Sequence, residues 1–301
     1  MLRRLLVLAA IPGMIALGAS AQPVSIVDDQ GHRFTSASAP SRIVSLAPNV
    51  TEILFALGAG DRVVGVTRFC DYPEAALAKT RIGGLVDPSP EMIQSLAPDL
   101  VVAYRGNPLR TIDRLRAIGL PVFVCDIGKT VDSLFPLLDK LGRVTRREAE
   151  AARIAGGLKA RLEALRERLA GAPDKPRVFL ALQGNGLWTC GRESYIHDLI
   201  ERCAAENVAG KIRRDWFHYN LEQIVRDDPE VIIILARTEK DFRRGRDRFL
   251  ADRRLGRVAA VKTGRIYFLD ENITSRFGPR LVNALEETAR NVHPERFEAP
   301  S

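Results

Sequence analysis

Two fourteen-residue stretches carry the chain's most suggestive pattern: Ser89 to Val102 and Asn220 to Ile233. Each reads as a helix cap, a first-turn glutamate (Glu91, Glu222), an isoleucine two residues later, a proline seven after the glutamate, an acidic residue and an apolar strand. A first-turn carboxylate offsets the helix dipole by about 0.3–1 kcal/mol, which alone explains each glutamate. The alternative is a symmetric pair of docking acids, one per half of the chain. Acid–base catalysis would instead need two carboxylates across one bond, whereas these belong to separate units. No G-x-S-x-G elbow, phosphate loop or H-E-x-x-H is present, so an exported enzyme is a remote alternative. His32, His197, His218 and His293 lack ligand spacing, so direct metal binding is not expected. Arg105 and Arg276 could each grip a carboxylate, phosphate or hydroxamate through two parallel hydrogen bonds, or form ordinary surface ion pairs. Cys70, Cys125, Cys190 and Cys203 form no C-x-x-C pair. They leave three full disulfide pairings, or buried free thiols, open.

The element that must position these residues is a helix predicted over Thr145 to Ala170, about 39 Å long at 1.5 Å per residue. Its apolar face is Ile154, Leu158, Leu162, Leu165 and Leu169. Thr145 and Glu148 read as a capping box, and Gly171 with Pro173 stops the helix. Gly156 and Gly157 permit a bend or a close backbone approach. Strand-and-helix patterning on both sides makes this helix a strut between two halves related by a pseudo-twofold axis. Before it, strands are predicted over Arg42–Leu46, Val63–Val66, Leu100–Ala103 and Pro121–Cys125. Helices are predicted after an Asn49 cap, after Ser89, over Thr111–Ile118, and over Val131–Leu141 with a kink at Pro136. Beyond it come strands over Arg177–Leu182, Val231–Leu235 and Arg265–Leu269. Helices follow over Ser194–Cys203, after Asn220 and over Pro279–Val292. Loops carry Trp188, the aromatic run Asp215 to Tyr219, and Asp270 to Gly278. Alternating short apolar strands and helices imply an α/β fold with parallel-type sheets covered on both faces. The predicted organisation is a leader over 1–21, a hairpin segment over 22–41, an N-terminal lobe over 42–143, a bridging helix over 144–172 and a C-terminal lobe over 173–301.

The leader is basic at Arg3 and Arg4, apolar from Leu5 to Leu17, and ends in the small-residue site Ala19-Ser20-Ala21. Cleavage after Ala21 removes two of the eight excess positive charges and leaves +6. No cysteine lies near that site, so a lipid anchor is not expected, and no other run is long enough to span a bilayer. A soluble periplasmic protein is expected, and export makes nucleic acid an improbable partner for the basic surface. The 301 residues, 46% of them hydrophobic, suffice for two modest folded cores.

With these residues in hand, the chain resembles the periplasmic substrate-binding proteins of metal-chelate importers. The family takes cobalamin, ferric siderophores or haem, and its cobalamin-binding members are the nearest. The likeness runs from about Arg42 to Val292. It is carried by Arg42-Ile43-Val44-Ser45-Leu46-Ala47-Pro48-Asn49-Val50-Thr51-Glu52, Asp71-Tyr72-Pro73, both glutamate–proline units, Thr189-Cys190-Gly191-Arg192-Glu193-Ser194 and Gly278-Pro279-Arg280. The resemblance implies two α/β lobes on one long rigid helix, of the class III binding-protein type, with little hinge motion. It implies a monomer without a cofactor that captures a chelate in the cleft. Delivery is to a dimeric ABC permease with its ATPase, whose arginines meet Glu91 and Glu222. By position it makes Phe69, Tyr104, Trp188 and Trp216 pocket aromatics, flat faces suited to a macrocycle. His218 could contact the chelated metal. The sequence departs from the family where an expected tryptophan is Leu85 and where the segment after the last strand reads Asn272-Ile273-Thr274-Ser275-Arg276. Only Cys203 matches a family disulfide position.

Overall fold

The computed structural model describes residues 23–172, 174–184 and 186–297. The leader expected over 1–21, with its cleavage at Ala21, lies outside the described residues. The described chain opens with an antiparallel hairpin, β1 (Val24–Val27) and β2 (Arg33–Ser36), turned at Gly31 with φ +84°. Next come β3 (Ile43–Ser45), α1 (Pro48–Ala56), β4 (Val63–Val66), β5 (Thr80–Arg81), α2 (Pro90–Ser95), β6 (Leu100–Tyr104), α3 (Leu109–Ala117) and β7 (Val122–Cys125). Then α4 (Leu134–Thr145) and α5 (Glu148–Leu169) lead to β8 (Arg177–Leu182), β9 (Trp188–Cys190), α6 (Tyr195–Arg202), β10 (Glu206–Asn207), β11 (Trp216–His218), α7 (Leu221–Asp227) and β12 (Val231–Ala236). The chain closes with α8 (Glu239–Ala251), α9 (Ala259–Thr263), β13 (Ile266–Asp270), α10 (Glu271–Thr274) and α11 (Leu281–Val292).

The N-terminal lobe is a five-stranded parallel sheet in the order β5-β4-β3-β6-β7. The C-terminal lobe orders its strands β11-β9-β8-β12-β13, with β10 beside β8. In that sheet β8, β12 and β13 are parallel, while β9 and β11 form an antiparallel edge. All six residues of β12 are buried, as expected of a strand covered on both faces. The internal repeat is visible in the topology. β6 and β12 hold the same fourth place in their sheets, and each directly follows the short helix that carries Glu91 or Glu222.

Between the sheets, α5 buries Ala151, Leu158, Leu165 and Leu169, and Arg161 clamps Glu286 of α11 through two hydrogen bonds of 2.9 and 2.8 Å. The helix is shorter than its sequence pattern suggests, 22 residues or about 33 Å. Thr145 does not cap it. That residue ends α4, its hydroxyl donating to the Leu141 carbonyl at 2.6 Å, and left-handed Arg146 (φ 56°) breaks the chain between the two helices. Gly156 and Gly157 are exposed, and a Cβ on either meets nothing within 4 Å, so no close backbone approach explains them.

Other local expectations are corrected too. α1 begins with Pro48 at its first position and Ala47 before it, so Asn49 is inside the helix and caps nothing. Pro136 falls in the first turn of α4, where no intrahelical N–H is needed, and the reason for a kink disappears. The loops expected to carry Trp188 and the aromatic run instead contain β9 and β11, paired to each other, and α10 occupies part of the loop expected over Asp270 to Gly278. The sequence reading had no helix at α8. Its polar run EKDFRRGRDRFLA buries only Phe242, Gly245 and Phe249, too thin an apolar stripe to stand out. All four cysteines are free and buried, and burial pushes the Cys125 and Cys190 thiols up to about 12, which makes them inert.

Because Gly156 and Gly157 sit in an exposed helix with open space around them, replacing each by alanine should raise stability by about 0.5–1 kcal/mol per site. Urea denaturation checks this. A lower midpoint would mean that α5 is not a continuous helix there.

Candidate functional site

In both parallel arrays the strands end toward one gap, where open α/β sheets place their ligands. A cavity of about 560 Å³ lies between the lobes. Tyr104, Asp126 and Ile127 line it from the N-terminal side; Leu182, Tyr195, Asp215 and Trp216 are among those facing them from the C-terminal side. A smaller cavity of about 170 Å³ shares Tyr104, Ile127 and Ser275 with it and adds Leu85 and Arg276.

Local sequence explains why these side chains stand where they do. Tyr104 ends β6, and its ring lies so close to Gly106 that a Cβ there would come within 2.1 Å of it. Buried Asn107 fixes the same turn: its Oδ1 accepts from the Tyr104 amide at 2.8 Å, and its Nδ2 donates to the Leu46 and Leu85 carbonyls at 3.0 and 2.8 Å. Three loops of the N-terminal lobe are thereby tied together by one side chain. On the other wall, a Cβ at Gly191 would meet the Ile212 and Arg214 carbonyls at 2.5 and 2.6 Å. That close approach lets the Gly191, Arg192 and Glu193 amides donate to the Asp215, Ile212 and Arg214 carbonyls, which fixes the backbone leading into Trp216. Tyr195 is braced behind, its hydroxyl donating to the Thr274 carbonyl at 3.0 Å.

Burial raises the Tyr104 phenol pKa, and the negative charges of Asp126 and Asp215 add to the shift. Partial burial also raises the Asp215 pKa; a hydrogen bond from Ser194 opposes this, Glu193 reinforces it by like charge, and the positive charge of Lys129 opposes it. Asp215 nevertheless remains exposed to solvent.

The expected site residues divide into groups. Tyr104 and Trp216 meet on the larger cavity, and Leu85 and Arg276 line the smaller one. Trp188 lies further along the β9–β11 ribbon, its ring tilted 45° against that of its cross-strand partner His218 with centroids 3.9 Å apart, and lines neither cavity. Phe69 is 49% exposed with the Arg68 guanidinium 5.5 Å from its ring, also outside both linings. Arg105 is exposed and donates to Asp126 at 2.6 Å. The Arg276 fork is occupied: Nη1 donates to Glu52 at 3.2 Å and Asp71 at 2.5 Å, and Nη2 to Asn272 at 3.1 Å. Glu91 is exposed, and hydrogen bonds from its own backbone amide and from Ser89 lower its pKa, with Arg114 also paired to it at 2.6 Å. Glu222 is exposed and has no ion-pair partner within 4.0 Å among the described residues.

Sequence reasoning missed the feature that spans the gap. Glu52 of α1 is 3% exposed and receives two arginines from the opposite lobe. Arg280 binds it in bidentate fashion, Nε to Oε2 at 2.9 Å and Nη2 to Oε1 at 2.5 Å, with its guanidinium 3.7 Å from the Tyr72 ring centroid. Arg276 adds the third contact. Glu52 and Gly278-Pro279-Arg280 both stood out in the sequence, but no spacing rule pairs residues 228 apart.

A model of the periplasmic binding protein family matches residues 43–273. A vitamin B12-binding protein of Yersinia pestis (strain Pestoides F) is 33% identical over 199 residues, covering 66% of this chain and 70% of that one. An uncharacterised ABC transporter substrate-binding lipoprotein, YvrC of Bacillus subtilis (strain 168), is 27% identical over 281 residues, 91% of this chain and 87% of its own. Among solved structures, the apo periplasmic haem-binding protein RhuT of Roseiflexus sp. RS-1 superposes with a TM-score of 0.77 at 27% identity, covering 86% of this chain and all of that one.

Glu52→Gln should destabilise the protein by about 3 kcal/mol, because it leaves two largely buried arginines without their shared anion. Chemical denaturation reads this directly, and a change under about 0.5 kcal/mol would reduce the contact to an ordinary surface pair.

Proposed function

The chain belongs to the periplasmic binding protein family, and on that premise we propose that it is the substrate-binding component of an ABC importer that captures a metal chelate between its lobes. The observation that carries this reading is the meeting of Tyr104 and Trp216, from opposite lobes, on one cavity of about 560 Å³. Two aromatic faces across a gap suit a flat chelate, which they can hold by stacking and apolar burial. A corrinoid is the first candidate, supported by 33% identity to a vitamin B12-binding relative. Haem is the second, supported by the likeness to a haem-binding protein at 27% identity, and a ferric siderophore is the third. The chelate is cargo, not a cofactor, and the protein is read as a carrier without catalysis of its own.

Glu91 and Glu222 are read as the docking acids for the two permease subunits. Their equivalent places ahead of β6 and β12 support a symmetric pair. Among the described residues the one ion-pair partner of Glu91 is exposed Arg114, a contact in open solvent that a partner's arginine can replace. Charges in such positions set encounter rate and register more than fold stability. Segments 42–143 and 173–301 are read as lobes acting as units about the 144–172 bridge. After removal of the leader at Ala21 the protein is read as a periplasmic monomer serving a permease driven by its ATPase.

Trp216→Ala should weaken chelate binding by about 1–3 kcal/mol, the scale of losing one buried aromatic face. Titration calorimetry measures it, and unchanged affinity would remove Trp216 from the site. The double variant Glu91→Ala/Glu222→Ala should abolish uptake by cells while leaving affinity within about twofold. A large loss of affinity in that variant would contradict the docking role.

A further inference from the structure

We propose that Asp215 is the specificity-determining acceptor of the cleft, and that it selects a chelate whose edge carries amide or amine N–H donors over one whose edge carries carboxylates or phenolates. The inference rests on the reading of the cleft as a chelate-capture site. Four acids and one cation line the larger cavity: Asp126, Glu193, Asp215 and Glu271 against Lys129. Three of the acids have a counter-charge, Asp126 with Arg105 at 2.6 Å, Glu193 with Lys129 at 3.7 Å and Glu271 with Arg237 at 3.2 Å. Arg105 and Arg237 reach these acids from outside the cavity lining. Asp215 differs: among the described residues no cation lies within 4.0 Å of its carboxylate, which has Ser194 as its hydrogen-bond partner and feels Lys129, already paired with Glu193, only at longer range.

Its position gives that carboxylate leverage. It directly precedes Trp216, on a backbone fixed by the Gly191 amide, and its charge is felt at Tyr104 across the gap and at Tyr195 behind it. Asp215 lines the same cavity as Tyr104 and Trp216, so the proposed ligand, stacked between those two rings, has the carboxylate within its site. An N–H donor there forms a charge-assisted hydrogen bond, whereas an anionic oxygen meets like charge in a partly desolvated site. Recognition of carboxylate or phenolate oxygens would call for a free guanidinium fork. The arginine that lines the smaller cavity, Arg276, has its fork filled by Glu52, Asp71 and Asn272.

The test is titration calorimetry of the wild-type protein and of Asp215→Asn and Asp215→Glu. The probes are cyanocobalamin, whose corrin edge carries carboxamides, haemin, which carries two carboxylates, and a neutral ferric trihydroxamate. Circular dichroism melts confirm that each variant is folded. The wild type should prefer cyanocobalamin to haemin. Asp215→Asn should weaken cyanocobalamin about tenfold and tighten haemin by a similar factor, the scale of one charge-assisted hydrogen bond. Asp215→Glu, which keeps the charge, should preserve the wild-type ranking. An unchanged ranking in Asp215→Asn, or a wild type that binds haemin tightest, overturns the inference while leaving chelate capture intact. Failure of the wild type to bind any of the three probes overturns chelate capture itself, and the inference with it.

Discussion

One buried carboxylate holds the two lobes in register. Glu52 is nearly solvent-free in the N-terminal lobe, and both of its oxygens are taken up by arginines of the C-terminal lobe. Pulling the lobes apart would expose three charges that are mutually compensated only across the boundary, and removing one partner from such a group is costly. Tyr72 beneath Arg280 and Asp71 beside Arg276 extend the contact to the rim. Arg161 of the bridging helix, gripping Glu286, anchors α5 to the C-terminal lobe. A molecule tied in this way holds its cleft ready before the ligand arrives, which reduces the ordering cost of binding.

The cleft inherits its shape from the sheets. Parallel strands bring their carboxyl ends to one side: Tyr104 and Leu182 are the last residues of β6 and β8, and Asp126 directly follows β7. Close packing then does the fine placement. Gly106 leaves room for the Tyr104 ring, Asn107 ties three loops with one amide, and Gly191 lets two backbone segments pass at hydrogen-bond distance. The result is an aromatic from each lobe on one cavity, with an acid beside one of them that has no direct ion pair among the described residues. On the proposed reading, such a surface would distinguish chelates by the charge at their edges as well as by their flatness.

Much of this was legible in the residues. The apolar runs at β6, β8 and β12 were plain because strands buried on both faces need no alternation. The repeat of Glu91 and Glu222 showed through because helix caps and prolines leave local marks, and the two sheets do share one strand order around it. What escaped was non-local or weakly patterned. Thr145 looked like a cap because Glu148 follows at the right distance, yet its hydroxyl serves the end of the preceding helix. Polar α8 offered too few apolar positions to be seen. Arg276 could be flagged as a gripping residue, but nothing in its neighbourhood foretold that Glu52, 224 residues away, would occupy it.

The central claim is that a chelate binds against Trp216 in a cleft that exists beforehand. The chain has two tryptophans, so in Trp188→Phe protein the emission reports Trp216 alone. The decisive measurement is quenching of that emission on titration with cyanocobalamin, alongside stoichiometry from calorimetry. The account predicts saturable quenching that ends at one chelate per chain. Calorimetric binding without any change in Trp216 emission would place the ligand elsewhere and contradict it.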